Sequence, residues 1–266
     1  MRADLRNLKD VRNIVAVMSG KGGVGKSFIS AALAIAFREL GYSVAILDAD
    51  IHGPSIPWIL GVESGYMGVS VDGSIVPLDV DGIAVASFEL LLPSRESPIV
   101  WRGPLKTKAI LELVSKTSWG YRDFMVVDMP PGTGDEHLTI AQFLKPFVKG
   151  AVLVLTPGDL VLHVVKKARE FLKEVGIDFL GAIVNMAYFK CPVCGTVHKI
   201  FGEYSTEGIQ ILAEIPIKPE LSQAINRGEI IKYLKNMDRE LLGIFIDVAK
   251  KIIDKIMPSA QQQSQV

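Results

Sequence analysis

The sequence predicts a doubly wound α/β fold with a mostly parallel sheet and a small hairpin insertion. Three observations predict it. Short β-branched runs recur at residues 14–18, 44–47, 83–86, 124–127, 151–155 and 180–184, each apolar enough to be a strand covered on both faces. Amphipathic stretches at 28–40, 107–116, 137–144 and 160–175 lie between them and supply the crossover helices that parallel strands require. Residues 61–81 break that rhythm, because Asp72-Gly73 sits between alternating apolar residues and reads as an inserted hairpin.

At the C-terminal end, Leu241, Phe245, Val248, Ile252 and Ile256 form one apolar stripe with Lys250, Lys251 and Lys255 outside it. Such a stripe is expected to pack on the domain instead of on a membrane surface. Residues 1–257 are therefore expected to form a single domain, with a cysteine knuckle at 188–201 and a disordered tail over 258–266.

Hydrophobic residues make up 49% of the 266, which is enough for one large filled core. Lys plus Arg (29) equals Asp plus Glu (29), so no basic footprint points to nucleic acid or an anionic membrane. No apolar run reaches bilayer length, and the N-terminus lacks a secretory signal; a cytoplasmic protein is expected. The two cysteines, Cys191 and Cys194, are too close together to close a useful disulfide loop, which implies a reducing compartment.

Gly20, Lys21, Gly22, Gly23, Val24, Gly25, Lys26 and Ser27 fit G-x-x-x-x-G-K-[ST] at every position, directly after a predicted strand and before a predicted helix. Glycines let the backbone curl with N–H groups inward, and the following helix adds its N-terminal partial charge. Lys26 is expected to neutralise the β- and γ-phosphates of ATP, and Ser27 to ligate Mg2+. A plain glycine turn would not need the lysine and serine that end the motif.

The extra Lys21 makes this loop resemble the deviant phosphate-loop ATPases, in which such a lysine crosses a dimer interface to the partner's nucleotide. That resemblance implies a homodimer with Lys21 acting in trans. These ATPases usually have threonine where this chain has Phe28, so a hydroxyl near the α-phosphate is absent here.

Asp48 and Asp50 stand at the C-terminal end of the second predicted strand, where open α/β sheets place ligand-contacting groups. The same resemblance implies that Asp50 orients or deprotonates the attacking water and that Asp48 reaches Mg2+ through water. Asp128 ends another strand and looks like a Walker B aspartate. It is followed by Met129-Pro130-Pro131-Gly132-Thr133-Gly134-Asp135, a rigid then flexible turn, in which the Gly132 N–H is placed to sense the γ-phosphate. Asn185 follows the strand 180–184 and offers both a donor and an acceptor; resemblance makes it the adenine reader. Pro216 is expected near the same pocket, or as a simple turn after a short strand.

Cys191-Pro192-Val193-Cys194-Gly195 is a tight knuckle that lets two thiolates converge on one metal centre. Zinc and a [4Fe-4S] cluster each want four ligands, so a symmetric dimer contributing one pair per chain completes the set. Zinc in the same bridging site, zinc with His198 as a third ligand, and a thioredoxin-like redox pair fit the same residues. His52, His137 and His163 have no ligand spacing with the cysteines and read as surface or packing residues.

The phosphate loop, residues 48–55, Trp101-Arg102-Gly103-Pro104, residues 128–135 and residues 185–195 occur together in this order. As a set, spanning about residues 10–230, they are similar to the Mrp/ApbC family of ATP-dependent iron–sulfur cluster carriers. The resemblance implies a labile [4Fe-4S] cluster held between subunits by Cys191 and Cys194, its transfer to apo iron–sulfur client proteins, and slow ATP hydrolysis. A MinD/ParA-like positioning ATPase shares the loop and the dimer but has no need of the knuckle; a zinc-stabilised nucleotide switch is the third reading.

Overall fold

Alternating buried strands and crossover helices assemble into one sheet, nine strands wide among the described residues. The structure, a computed structural model, describes residues 5–51, 53–92, 103–132, 134–158 and 161–258. His52, Trp101-Arg102, Thr133, Leu160 and the tail from 259 lie outside them. The first unit is β1 (Val11–Ser19), α1 (Lys26–Glu39) and β2 (Val44–Asp48), followed by the short α2 (Ile56–Ile59). The expected hairpin is β3 (Gly68–Val69) and β4 (Ile75–Val76), a separate two-stranded sheet. Next come β5 (Leu78–Val80), β6 (Ile83–Ser87), α3 (Gly103–Lys116), β7 (Arg122–Asp128), α4 (Asp135–Leu144), β8 (Val148–Leu155) and α5 (Val161–Val175). The chain ends with β9 (Phe179–Lys190), β10 (Val197–His198), β11 (Ile211–Ile217), α6 (Pro219–Asn226), α7 (Ile230–Lys232), a π-helical turn (Tyr233–Met237) and α8 (Arg239–Ile256).

The sheet runs β10-β9-β8-β1-β7-β2-β6-β5, with β11 also paired to β9. All of these pairs are parallel except β5–β6 and β9–β10. The central strands are covered on both faces, which is why they read as unbroken apolar runs instead of alternating ones.

Two sequence expectations change here. The sixth strand was expected to stop at Val184, but β9 continues to Lys190, so Asn185 lies inside a strand. Pro216 also lies inside a strand, β11, instead of in a turn after one. That strand pairs only with β9, so the missing N–H of proline leaves no second neighbour without a donor.

Helix α1 fixes where the phosphate loop sits. Eleven of its residues, including Lys26, are buried, because the helix is clamped between the sheet and α8. Phe28 at its start meets Phe245 of α8 edge to face, centroids 5.5 Å apart, and at its far end Phe37 stacks on Phe124 of β7 at 4.2 Å. Helix α8 begins at Asp238, whose carboxylate accepts from the Leu241 N–H at 3.0 Å. Its apolar stripe is buried from Leu241 to Ile252, with Ile256 half-buried, and Lys251 and Lys255 reach back to donate to the Leu212 and Leu180 carbonyls, both at 2.7 Å.

Since Phe245 is wholly buried and braces the start of α1, Phe245→Ala should cost about 3–5 kcal/mol of stability, read as a shift in the urea midpoint.

Candidate functional site

The loop from Gly20 to Gly25 joins β1 to α1 at the edge of the central strands. Gly23 (φ 77°) and Gly25 (φ 85°) hold the left-handed conformations that turn the loop into the helix. A side chain at Gly25 would also meet Asn185, whose Nδ2 lies 2.2 Å from where a Cβ would stand. Gly20, Gly22, Gly23 and Lys21 are exposed at the crest, while Val24 is buried beneath it. Gly20, Lys21 and Val24 line a cavity of about 310 Å³ with Thr156, Pro157 and Gly158 after β8.

At the base of the loop, Lys26 and Asp128 form a buried ion pair with Nζ 2.8 Å from Oδ2. Ser27 Oγ donates to the same Oδ2 at 2.6 Å, and Ser30 Oγ lies 2.7 Å from Oδ1. The Asp128 carboxylate is therefore held by groups from the first two turns of α1. Beside it in register stands Asp48. Its carboxylate accepts from the N–H groups of Asp50 (3.2 Å), Ser55 (3.0 Å) and Ile56 (3.2 Å) and from Ser87 Oγ (3.2 Å). Burial, then the neighbouring Asp128, raises the Asp48 pKa from 3.8 to about 8, against the pull of Lys26. Asp50 is half-buried and accepts from the Gly53 N–H at 3.3 Å.

The segment after Asp128 folds back over β1. The Gly132 N–H donates to the Ser19 carbonyl at 2.9 Å, with Gly132 at φ 89°. His137 is buried at the start of α4; its Nδ1 lies 3.0 Å from the Pro130 carbonyl, and its ring meets Phe171 of α5 edge to face. Because the partner is a carbonyl, Nδ1 carries the proton. Burial first, and Lys26 further, lower its pKa from 6.5 to about 4, although the Pro130 bond opposes this.

Asn185 is brought to the phosphate loop, where its Nδ2 donates to the Val24 carbonyl at 2.9 Å. Pro216 is not brought to the same place. It lines a cavity of about 580 Å³ together with Tyr188, Phe189, Cys191 and Gly195. Phe28 faces Phe245 in the core.

Cys191 and Cys194 sit on the turn of the β9–β10 hairpin. The pairs Lys190–Val197 and Phe189–His198 close its stem. Two N–H bonds of 2.9 Å, Cys191 to the Thr196 carbonyl and Gly195 to the Cys191 carbonyl, tighten the turn, with Gly195 at φ 72°. The turn is thus closed by its own backbone bonds, as a tight knuckle requires. Cys194 is exposed, Cys191 half-buried, and Val193 between them is 92% exposed. The Thr196 hydroxyl, 3.2 Å from Cys194 Sγ, then the Thr196 backbone and Cys191, lower the Cys194 pKa from 9.0 to about 7. Among the described residues no group of three or more His, Cys, Asp and Glu side chains is placed to share a metal ion, so His198 does not join the cysteines in one chain.

Ser30 and Ser87 were missed by sequence reasoning, as was the bond from His137, expected only as a surface or packing residue, to the Pro130 carbonyl. Ser30 had a signal, a hydroxyl one turn beyond Ser27 on an otherwise apolar helix face; the other two depend on strand register and chain return.

The two pKa shifts set opposite pH slopes. A carboxyl with a raised folded pKa gives stability that is present below 3.8 and lost as pH rises through about 8. An imidazole with a lowered folded pKa gives stability that is present above 6.5 and lost as pH falls through about 4. The slopes cancel between about 4 and 6.5 and leave a net fall from 6.5 to about 8 for these two groups. In protein measured without nucleotide, Asp48→Asn should flatten that fall by up to about 1.4 kcal/mol per pH unit, read from urea midpoints.

Comparison with known proteins agrees with this geometry. Residues 10–253 match a ParA-type family described as NUBPL iron-transfer P-loop NTPase. An iron–sulfur cluster carrier protein of Aquifex aeolicus is 42% identical over 260 residues, covering 96% of this chain and 70% of the relative. A nucleotide-binding protein of Archaeoglobus fulgidus, solved in complex with ADP and with cobalt found by PIXE, is 37% identical with a TM-score of 0.75, over 88% of this chain and 93% of that one. The cell division ATPase MinD of Pyrococcus furiosus, 22% identical with a TM-score of 0.63 over 91% and 98% of the two chains, shares the fold.

Proposed function

The chain belongs to the NUBPL iron-transfer P-loop NTPase family, and we propose that it is an ATP-dependent carrier that holds a [4Fe-4S] cluster across a homodimer and passes it to apoproteins. One observation carries this reading. A tight turn presents two cysteines, one of them exposed and readily ionised, with no third ligand among the described residues of the same chain, on a protein that also has a complete phosphate loop. A four-iron cluster needs four ligands, so a second copy of the turn completes the set. Val193, Val197, Ile200 and Phe201, all exposed around the thiols, offer that copy an apolar contact. The Aquifex relative's name supports iron–sulfur cargo.

The nucleotide site has the donors that Mg-ATP needs. Gly23 and Gly25 shape a backbone cradle, and the Ser27 hydroxyl with the Asp48 and Asp128 carboxylates is an all-oxygen set suited to Mg2+. Bound Mg-ATP supplies the phosphoryl bond whose cleavage separates two states of the protein. Lys26, now paired with Asp128, would turn to the β- and γ-phosphates, and Asp50 would orient the attacking water. Gly132 would exchange the Ser19 carbonyl for the γ-phosphate, converting occupancy into movement of the segment that His137 holds. Exposed Lys21 would reach the partner's nucleotide, and Asn185 would serve the adenine side. Hydrolysis is slow in this reading, since a gate needs a change of state and not rapid turnover. The free cysteine pair suits a reducing, cytoplasmic setting.

Anaerobic reconstitution should load about one four-iron cluster per dimer, and Cys191→Ala or Cys194→Ala should abolish it, as read from iron content and the visible spectrum. Stable zinc with no iron uptake would remove the carrier reading. Lys26→Ala and Ser27→Ala should lose ATP binding or cluster transfer while the cluster still binds; transfer at the normal rate without ATP binding would sink the coupling.

A further inference from the structure

Strand β9 carries both ends of the proposed machine. Its first part is fixed in the sheet between β8 and β11, and Asn185 ties that part to the Val24 carbonyl of the phosphate loop. Its last part pairs with β10 and ends at Lys190, directly before Cys191. Between the two, the ladder breaks. Asn185 faces Ile215 and Phe189 faces Ile217, so residues 186–188 lie opposite Pro216 alone. Proline has no N–H to give the ladder at that point. Met186 takes φ 58°, a left-handed conformation that long side chains seldom adopt. Under the bulge lies the cavity of about 580 Å³, lined by Tyr188, Phe189, Cys191, Pro216, Met237 and Leu241, so the hairpin has space to move into. Bulges of this kind re-aim the chain that follows them.

We propose that the bulge at residues 186–188 is a hinge with Met186 as its positioning residue, through which the state of the phosphate loop, felt at Asn185, sets the orientation of Cys191 and Cys194. This inference rests on the reading of residues 20–27 as the nucleotide loop and of the two cysteines as the cluster ligands. The hinge has two arrangements, the bulge as seen and a straightened strand, and nucleotide biases the choice. A left-handed residue that becomes glycine loses its steric penalty, which favours the arrangement seen by about tenfold. A β-branched residue there disfavours it.

The test uses the full-length, metal-free protein and follows alkylation of Cys191 and Cys194 by iodoacetamide with mass spectrometry. Binding of Mg-ADP is checked separately by titration with a fluorescent analogue. Saturating Mg-ADP should change the wild-type alkylation rate of at least one thiol by about fivefold or more, the low end of coupling between sites. Met186→Gly and Met186→Val should bracket the wild type, with rates in the absence of nucleotide that differ by a similar factor. If Met186→Val does not fold, Met186→Gly decides alone, because its response to Mg-ADP must be smaller than that of the wild type. Bound Mg-ADP with no change in either thiol, or a Met186→Gly protein that responds as fully as wild type, overturns the hinge. Mg-ADP that does not bind at all overturns the nucleotide reading along with it, whereas failure of iron loading alone would remove the carrier reading and leave the thiol response standing.

Discussion

The site depends on one buried ion pair. Lys26 and Asp128 are both buried, so each charge is tolerable only because the other stands 2.8 Å away and because Ser27 and Ser30 satisfy the remaining carboxylate positions. Removal of one partner leaves an uncompensated charge among apolar strands. The pair ties the end of β7 to the start of α1, and α1 in turn is held by α8 through Phe28 and Phe245. The phosphate loop is thus set by long-range packing as much as by its own glycines.

Much of this was legible in the sequence, because the strands and helices nearest the loop have unambiguous periods. Residues 124–127 and 151–155 are buried on both faces, and nothing but a central strand suits such runs. The phosphate loop was legible for a different reason, since its spacing encodes a local backbone shape. What escaped were features set by partners distant in sequence. Strand β11 contains Glu214 and Pro216, which argue against a strand until β9 is seen beside it. Asn185 looked like the residue after a strand because its polar amide ends the β-branched run, and the continuation of β9 past it, through a bulge, needs the register of β11. The knuckle was legible but the hairpin stem beneath it was not, because a two-residue partner such as β10 gives no periodic signal.

The arrangement separates two kinds of chemistry along one sheet. The proposed phosphate site lies at β1, β2 and β7, where strand ends bring Asp48 and Asp128 side by side. The proposed cargo site lies on a hairpin that extends from β9, where the backbone is tight but Cys194 is exposed and Cys191 half-buried. The burial that raises the Asp48 pKa and the exposure that leaves Cys194 open to a threonine hydroxyl are opposite environments: exposure suits a thiolate ligand, whereas the Asp48 carboxyl would need a bound cation to draw it back to its ionised form.

That openness at Cys194 has a chemical cost. A thiol near pH 7 in its ionisation, uncovered by its own chain and with a second thiol as neighbour, is a target for peroxide and dissolved oxygen as much as for iron. Sulfenic acid formed there would condense with Cys191 and take both ligands out of service, while the buried nucleotide machinery stayed intact. Air-exposed preparations would then hydrolyse nucleotide yet accept no metal, an inactivity created by handling and reversible with a reductant.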